Sequence, residues 1–205
     1  MGRDSACTGF VLILMLVLAV PGWVQAGGGL DNQDILDRIQ SLSQRKEMPA
    51  DKVFKLTRDI ETLFEDPEFG QMRERTPVTG VMVYRIGGGG LLVKFIKGDG
   101  LVSFQGQALP KEFDVQSWQF GAHAGGGVVW AAALVMGLRD PAYFGGEYSG
   151  QGSSATAIDT TTGEHPLLRL VNPPSEAQAH NLLLIRAAMG LSADAGGFKL
   201  NITPR

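Results

Sequence analysis

The sequence predicts an α+β protein in which two N-terminal amphipathic helices precede a glycine-rich, mainly antiparallel β-sheet. Three observations carry that prediction. Apolar residues recur at helical 3-4 spacing through the first part of the chain, ending at Phe64. From Pro77 onward glycine becomes dense, and β-branched and aromatic residues gather in short runs. Between Asp114 and Arg139 lies a 24-residue window without a single Asp, Glu, Lys or Arg. The pattern leaves open whether the sheet closes into a barrel.

The first helix is expected in "LDNQDILDRIQSLSQRKE", where Ile35, Ile39 and Leu42 share one face and Asp31 or Asn32 can cap the start. After Pro49, "ADKVFKLTRDIETLFEDPEFG" places Val53, Leu56, Ile60, Leu63 and Phe64 on a second apolar stripe, which should stop near Glu65, ahead of Asp66-Pro67. "TGVMVYRI", "GLLVKFIKG" and "GLVSFQGQAL" then read as three antiparallel strands. Their junctions "GGG" and "GDG" would be hairpin turns, because glycine and Asp-Gly supply positive φ.

"FDVQSWQFGAHA" and "VVWAAALVMG" make a fourth and a fifth strand around Gly125, Gly126 and Gly127. As one helix the uncharged window would reach about 36 Å, enough to span a bilayer. Five glycines inside it, at roughly 1 kcal/mol each relative to alanine, argue against a helix, so the window reads as a hairpin in a β-core. Beyond Arg139, "DPAYFGGEYSGQG" reads as a turn-rich aromatic loop with one short helical turn, and "SSATAIDTTTGE" as a strand. "PLLRLVNPPSEAQAH" is ambiguous between a short helix and a loop. "NLLLIRAAMGLSADAGGFKLNI" reads as two closing strands, with a helix over 182–191 as the rival.

The extreme N-terminus has the layout of a secretory signal peptide. "FVLILMLVLAV" gives an 11-residue apolar core from Phe10 to Val20, Pro21-Gly22 break it, and Val24 and Ala26 stand at the −3 and −1 positions of a small-residue cleavage site. The expectation is an exported protein cleaved after Ala26, located in the periplasm or cell envelope, with a helical segment at 27–76 and a β-rich domain at 77–205 packed as one unit. Cys7, the single cysteine, would leave with the leader, so neither a disulfide nor a thiol nucleophile is available afterwards.

The 18 Lys and Arg against 21 Asp and Glu give a net charge of −3, which excludes the basic surplus of a bulk nucleic-acid binder. Catalytic signatures are weak. "GGGG" at Gly87 to Gly90 lacks the spacing of a dinucleotide loop, and Ser149 in "GEYSG" sits one position late for a hydrolase elbow. His123, His165 and His180 are far apart in sequence, and Glu147, Asp159, Glu164 and Asp194 form no evident catalytic pair. The expectation is therefore no enzyme, no metal and no cofactor. Asn201-Ile-Thr is formally a glycosylation acceptor, relevant only in a eukaryotic host.

Charge order is clearer than chemistry. Arg45, Lys46, Lys52, Lys55 and Arg58 cluster around the helix junction, and Lys94 and Lys97 could extend that patch from a neighbouring strand. Cations beside an amphipathic helix attract anionic lipid head groups even when total charge is negative. Trp118, Phe120, Tyr143 and Phe144 are the aromatic candidates for contact with the same ligand. With Tyr148, the last two are also expected to be exposed for a protein partner.

The order of pieces also resembles the SYLF family of lipid-binding domains over about residues 79–200. The likeness is carried by Phe120-Gly121-Ala122-His123 before the apolar run Val129 to Met136, then Gly145 to Ala157, then Gly190-Leu191-Ser192. The usual "GGW" with its Pro-Ala-Phe run is missing, and "GLSAD" lacks the family's glutamate. The resemblance implies a β-rich α+β domain that binds phospholipid instead of catalysing a reaction, and it carries over no specific contact residue. The functional expectation is an exported non-enzymatic protein binding phospholipid or another apolar ligand at a membrane surface. The alternative is an envelope structural or assembly factor that binds a protein through a sheet edge or exposed aromatics.

Overall fold

In the computed structural model, residues 28–89, 93–120, 127–150, 168–171, 181–186 and 199–205 are described. Helix α1 spans Asn32–Arg45 and begins at Asp31, whose carboxylate accepts the Asp34 amide at 2.7 Å. Helix α2 spans Ala50–Phe64 and ends where expected, at Glu65. A third helix, α3 at Pro67–Arg75, adds to the two expected from sequence. The Asp66-Pro67 pair that terminates α2 also starts α3, with Asp66 as cap and proline in the first turn. With Phe69 its one buried residue, α3 has no apolar stripe to announce it.

Eight strands follow: β1 Val78–Gly89, β2 Val93–Phe104, β3 Lys111–Phe120, β4 Gly127–Met136, β5 Gly146–Gly150, β6 Leu168–Val171, β7 Asn181–Arg186 and β8 Lys199–Pro204. Every neighbouring pair is antiparallel, and the sheet closes in the order β1-β2-β3-β8-β5-β6-β7-β4. The α+β class with a barrel-like antiparallel sheet thus holds. Strand β7 favours the closing-strand reading over the rival helix at 182–191, whereas β6 at 168–171 is neither the helix nor the loop expected for "PLLRLVNPPSEAQAH", whose Pro173-Pro174 lies outside the described residues. The strand expected over 153–164 lies outside the described residues, as do His123, His165 and His180.

Two expectations about turns need correction. The Gly98-Asp99-Gly100 segment is not a hairpin but the middle of β2. Its glycines serve close approach. A Cβ on Gly100 would sit 2.6 Å from the Tyr84 Cβ and 2.7 Å from the Val83 carbonyl and would strike the Phe113 ring. The arms of the uncharged window, β3 and β4, do not pair with each other either. β3 lies between β2 and β8, and β4 between β1 and β7. Local glycine content therefore signals neither a reversal, as β2 shows, nor which strand will be the neighbour; long-range pairing decides both.

The strand register separates two cores. Met82, Tyr84, Ile86, Val102, Phe104, Phe113, Val115, Ala131, Ala133 and Val135 point into the barrel with Leu182, Leu200 and Ile202. Val81, Val83, Trp130, Ala132, Leu134 and Met136 face outward under Ile35, Ile39, Leu42, Leu56, Ile60 and Phe69 of the helices. From Val78 to Tyr84 and from Trp130 to Met136, strands β1 and β4 are therefore buried on both faces, which is why β4 reads as an apolar run. Outward positions on β2, β3, β5 and β8 include exposed Lys97, Glu112, Glu147 and Lys199. An apolar lumen with charge outside is the reverse of a membrane-spanning barrel. Among the described residues no helix is long and apolar enough to cross a membrane.

Candidate functional site

The strand directions define two ends of the barrel. At the lower end lie the β2–β3 and β4–β5 connections, residues 105–110 and 137–145; at the upper end β1 and β3 finish and β2 and β4 begin. The lower lumen is filled by aromatic rings. Phe144, from the connection after the 3-10 turn Pro141–Tyr143, meets Phe104 and Phe113 edge-on at centroid distances of 5.2 and 5.6 Å. The Tyr148 hydroxyl donates to the Phe144 carbonyl at 2.6 Å.

This arrangement corrects two assignments: Phe144 and Tyr148 are buried at 1% and 0% exposure, so neither can present a ring to a partner. Burying an aromatic side chain gains more than exposing it, and a barrel lumen needs large rings to fill it. Tyr143, one residue away, is exposed.

The helix layer is fastened to the barrel wall by polar contacts around its apolar centre. Arg38 donates to the Ser103 hydroxyl and, at 3.2 Å, to the Phe104 carbonyl. Arg73 donates to the Leu30 carbonyl and the Asn32 side chain, tying α3 to the start of α1. At the other end of α1, Lys46 pairs with Asp99 on β2, which also accepts from Arg85 Nε at 3.0 Å. Burial pushes the Asp99 carboxyl up, but hydrogen bonds and charge from Lys46 and Arg85 outweigh it and hold the group below its ordinary value.

Those contacts sort the cations expected from sequence. Lys46 is consumed by its ion pair and belongs to the fastening of α1. Lys52 lies 3.2 Å from Asp51. Arg45, Lys55 and Arg58 are exposed and form no ion pair among the described residues. Lys97 is exposed on β2. Lys94 pairs in register with Gln119, Trp118 with Phe95, and Phe120 with Val93, all toward the upper end. Tyr143 and Phe144 belong to the lower end, so the candidate residues do not form one site.

Two residues missed in the sequence stand out beside these cations. Phe54 on α2 is 71% exposed and Val128 on β4 is 65% exposed. Phe54 falls off the apolar stripe of its helix, a signal present in the pattern but hidden inside "KVFKL". Val128 has the same strand parity as buried Trp130, so only the extent of the helix layer distinguishes them. Of the carboxylates considered for catalysis, Glu147 is exposed and bonded to Lys199 at 2.8 Å; Asp159, Glu164 and Asp194 lie outside the described residues. Among the described residues no group of three His, Cys, Asp or Glu converges as a metal site.

No family model matches the chain, and no curated protein does. Among solved structures it is similar to a beta-barrel-like, uncharacterized protein from Brucella abortus, with a TM-score of 0.53 at 14% identity over 86% of this chain and 95% of that one. At that identity the likeness supports the fold.

Proposed function

We propose that this chain is an exported, non-enzymatic protein of the cell envelope that associates peripherally with phospholipid. The observation that carries this reading is the exposed cation set Arg45, Lys55 and Arg58, mounted on a helix layer locked to a barrel. A rigid mount keeps the charges in one place, so their attraction to an anionic surface adds up without an ordering cost. The signal-peptide pattern of residues 1–26 agrees with an envelope location, and the resemblance to SYLF lipid-binding domains agrees with the ligand class. Aromatic filling of the lower lumen favours a surface contact over an apolar ligand held inside there.

The protein-partner alternative keeps exposed Tyr143 but has less support from the described residues. Among the described residues the barrel is closed and offers no free sheet edge, and two of the three aromatics assigned to a partner are buried. Flotation with vesicles is the direct test. The mature chain from Gly27 is expected to float with phosphatidylglycerol vesicles, less so with neutral ones, and to be released by salt. Absence from both vesicle fractions at low salt would sink the proposal.

A further inference from the structure

We infer that the protein meets an anionic bilayer with the upper rim of its helix-covered wall, Phe54 and Val128 entering the interface and Arg45, Lys55, Arg58 and Lys97 reaching head groups. This rests on the proposed lipid association and adds an orientation to it.

The rim is assembled from two directions. Across the barrel wall, Lys97 on β2, Gly87 on β1 and Val128 on β4 form one outward cross-strand row, with the outer two about 10 Å apart. The next outward row down is Asp99, Arg85 and Trp130. Trp130 is covered at 8% exposure, whereas Val128 is 65% exposed, so the helix layer ends between these rows. From the helix side, the Lys46–Asp99 ion pair seats the α1–α2 turn at the level of the lower row. Helix α2 starts four residues after Lys46 and carries Phe54 in its first two turns, with Lys55 beside it and Arg58 one turn on.

Charge gives the surface a direction. Helix α2 holds Asp51, paired with Lys52, and the exposed Lys55 and Arg58 in its first part, with exposed Glu47 just ahead of it, and exposed Glu61 in its last turn, followed by Glu65. Toward the lower end exposed Asp31, Asp34, Glu68, Glu112 and Asp140 outnumber exposed Arg75, Lys111, Arg139 and Arg205. An anionic surface therefore attracts the upper rim and repels the lower end. The lower end also exposes an apolar residue, Leu109 at 70%, which makes it the internal control. A single exposed aromatic flanked by cations is the composition of an interfacial helix: the ring enters the head-group region and the cations stay at its surface.

Because Cys7 is the only cysteine and precedes Gly27, the mature chain used for flotation has none, and single labelling sites are easily placed. Phe54→Cys, Val128→Cys and Leu109→Cys, each carrying an environment-sensitive fluorophore, are mixed with phosphatidylglycerol vesicles. The expected result is a blue shift and protection from an aqueous quencher at positions 54 and 128 and neither at 109. Lys55→Ala and Arg58→Ala should each weaken vesicle partitioning about five-fold, with unchanged urea midpoints showing that the fold is intact. Flotation together with a shift at 109 alone, at all three positions or at none overturns the orientation and leaves lipid association standing. Failure of the unlabelled protein to float overturns the association itself.

Discussion

Strands β4 and β8 hold the same topological position and are written in opposite alphabets. The barrel is two four-stranded units with spatial orders 4-1-2-3 and 8-5-6-7, each the order of a Greek key, in which the fourth strand returns beside the first. In β4 the lumen takes Ala131, Ala133 and Val135, and the helix layer takes Trp130, Ala132, Leu134 and Met136. In β8 Leu200 and Ile202 are buried while Lys199, Asn201 and Thr203 are exposed. Topology therefore does not decide composition; the number of covered faces does. A strand covered once alternates, and a strand covered twice loses its charges.

The largest test of this difference puts a lysine on both faces of β4 and on the outer face of β8. Ala132→Lys, under the helices, and Ala133→Lys, in the lumen, should both destabilise by about 3–5 kcal/mol, because an unpaired charge is buried either way. Asn201→Lys and Thr203→Lys should stay within about 0.5 kcal/mol of the parent. Urea midpoints at neutral pH decide it. If Ala132→Lys behaved like Asn201→Lys, the helix layer would not be seated on β4.

A smaller effect concerns glycine. Gly100→Ala should cost about 1–3 kcal/mol, since its Cβ would meet Tyr84, the Val83 carbonyl and the Phe113 ring. Gly70→Ala, inside α3 with nothing near its Cβ, should gain up to about 1 kcal/mol. Thermal unfolding of the two variants should move in opposite directions. A parallel loss would mean that α3 has no room for a methyl group.

The smallest effect is electrostatic and follows from Asp99. Its carboxyl is held below the ordinary value of about 3.9, so the stability it contributes is present above that pH and disappears as pH falls through the lower folded-state value. Asp99→Asn should flatten this part of the acid loss below about pH 4, read as urea midpoints from pH 5 downward. An unchanged acid limb in the variant would place the loss elsewhere. Asp114, lowered by its hydrogen bond to Arg205, lies on the open side of the barrel and is the natural comparison.

The parts legible in the sequence were those with a short-range cause. The caps and stripes of α1 and α2, the change of character at Pro77 and the β nature of the uncharged window all follow from propensity and periodicity within about 20 residues. Missed features had a distant cause. Gly98 and Gly100 read as a turn because nothing local reveals that Arg85, Tyr84 and Phe113 will crowd their backbone. Phe144 and Tyr148 read as exposed because turn-rich surroundings hide that they fill the lumen. Lys46 read as a free cation because Asp99 lies 53 residues away.

Taken alone, the sequence determined the class of every described element up to the end of β4 apart from α3, which Asp66-Pro67 obscured; β5, just beyond, was read as a loop. It also determined that the uncharged window is too rich in glycine to be a helix. Apart from the β1–β2 pair, which was expected as a hairpin, which strand lies beside which was decided only by the tertiary structure. So was which of the two faces of β4 meets rings and which meets helices, and which cations remain exposed once α1 is fastened. Local rules act through backbone torsions and nearest side chains. Barrel closure and helix seating depend on buried area gained between residues distant in sequence, and that gain exists only when the whole chain is folded.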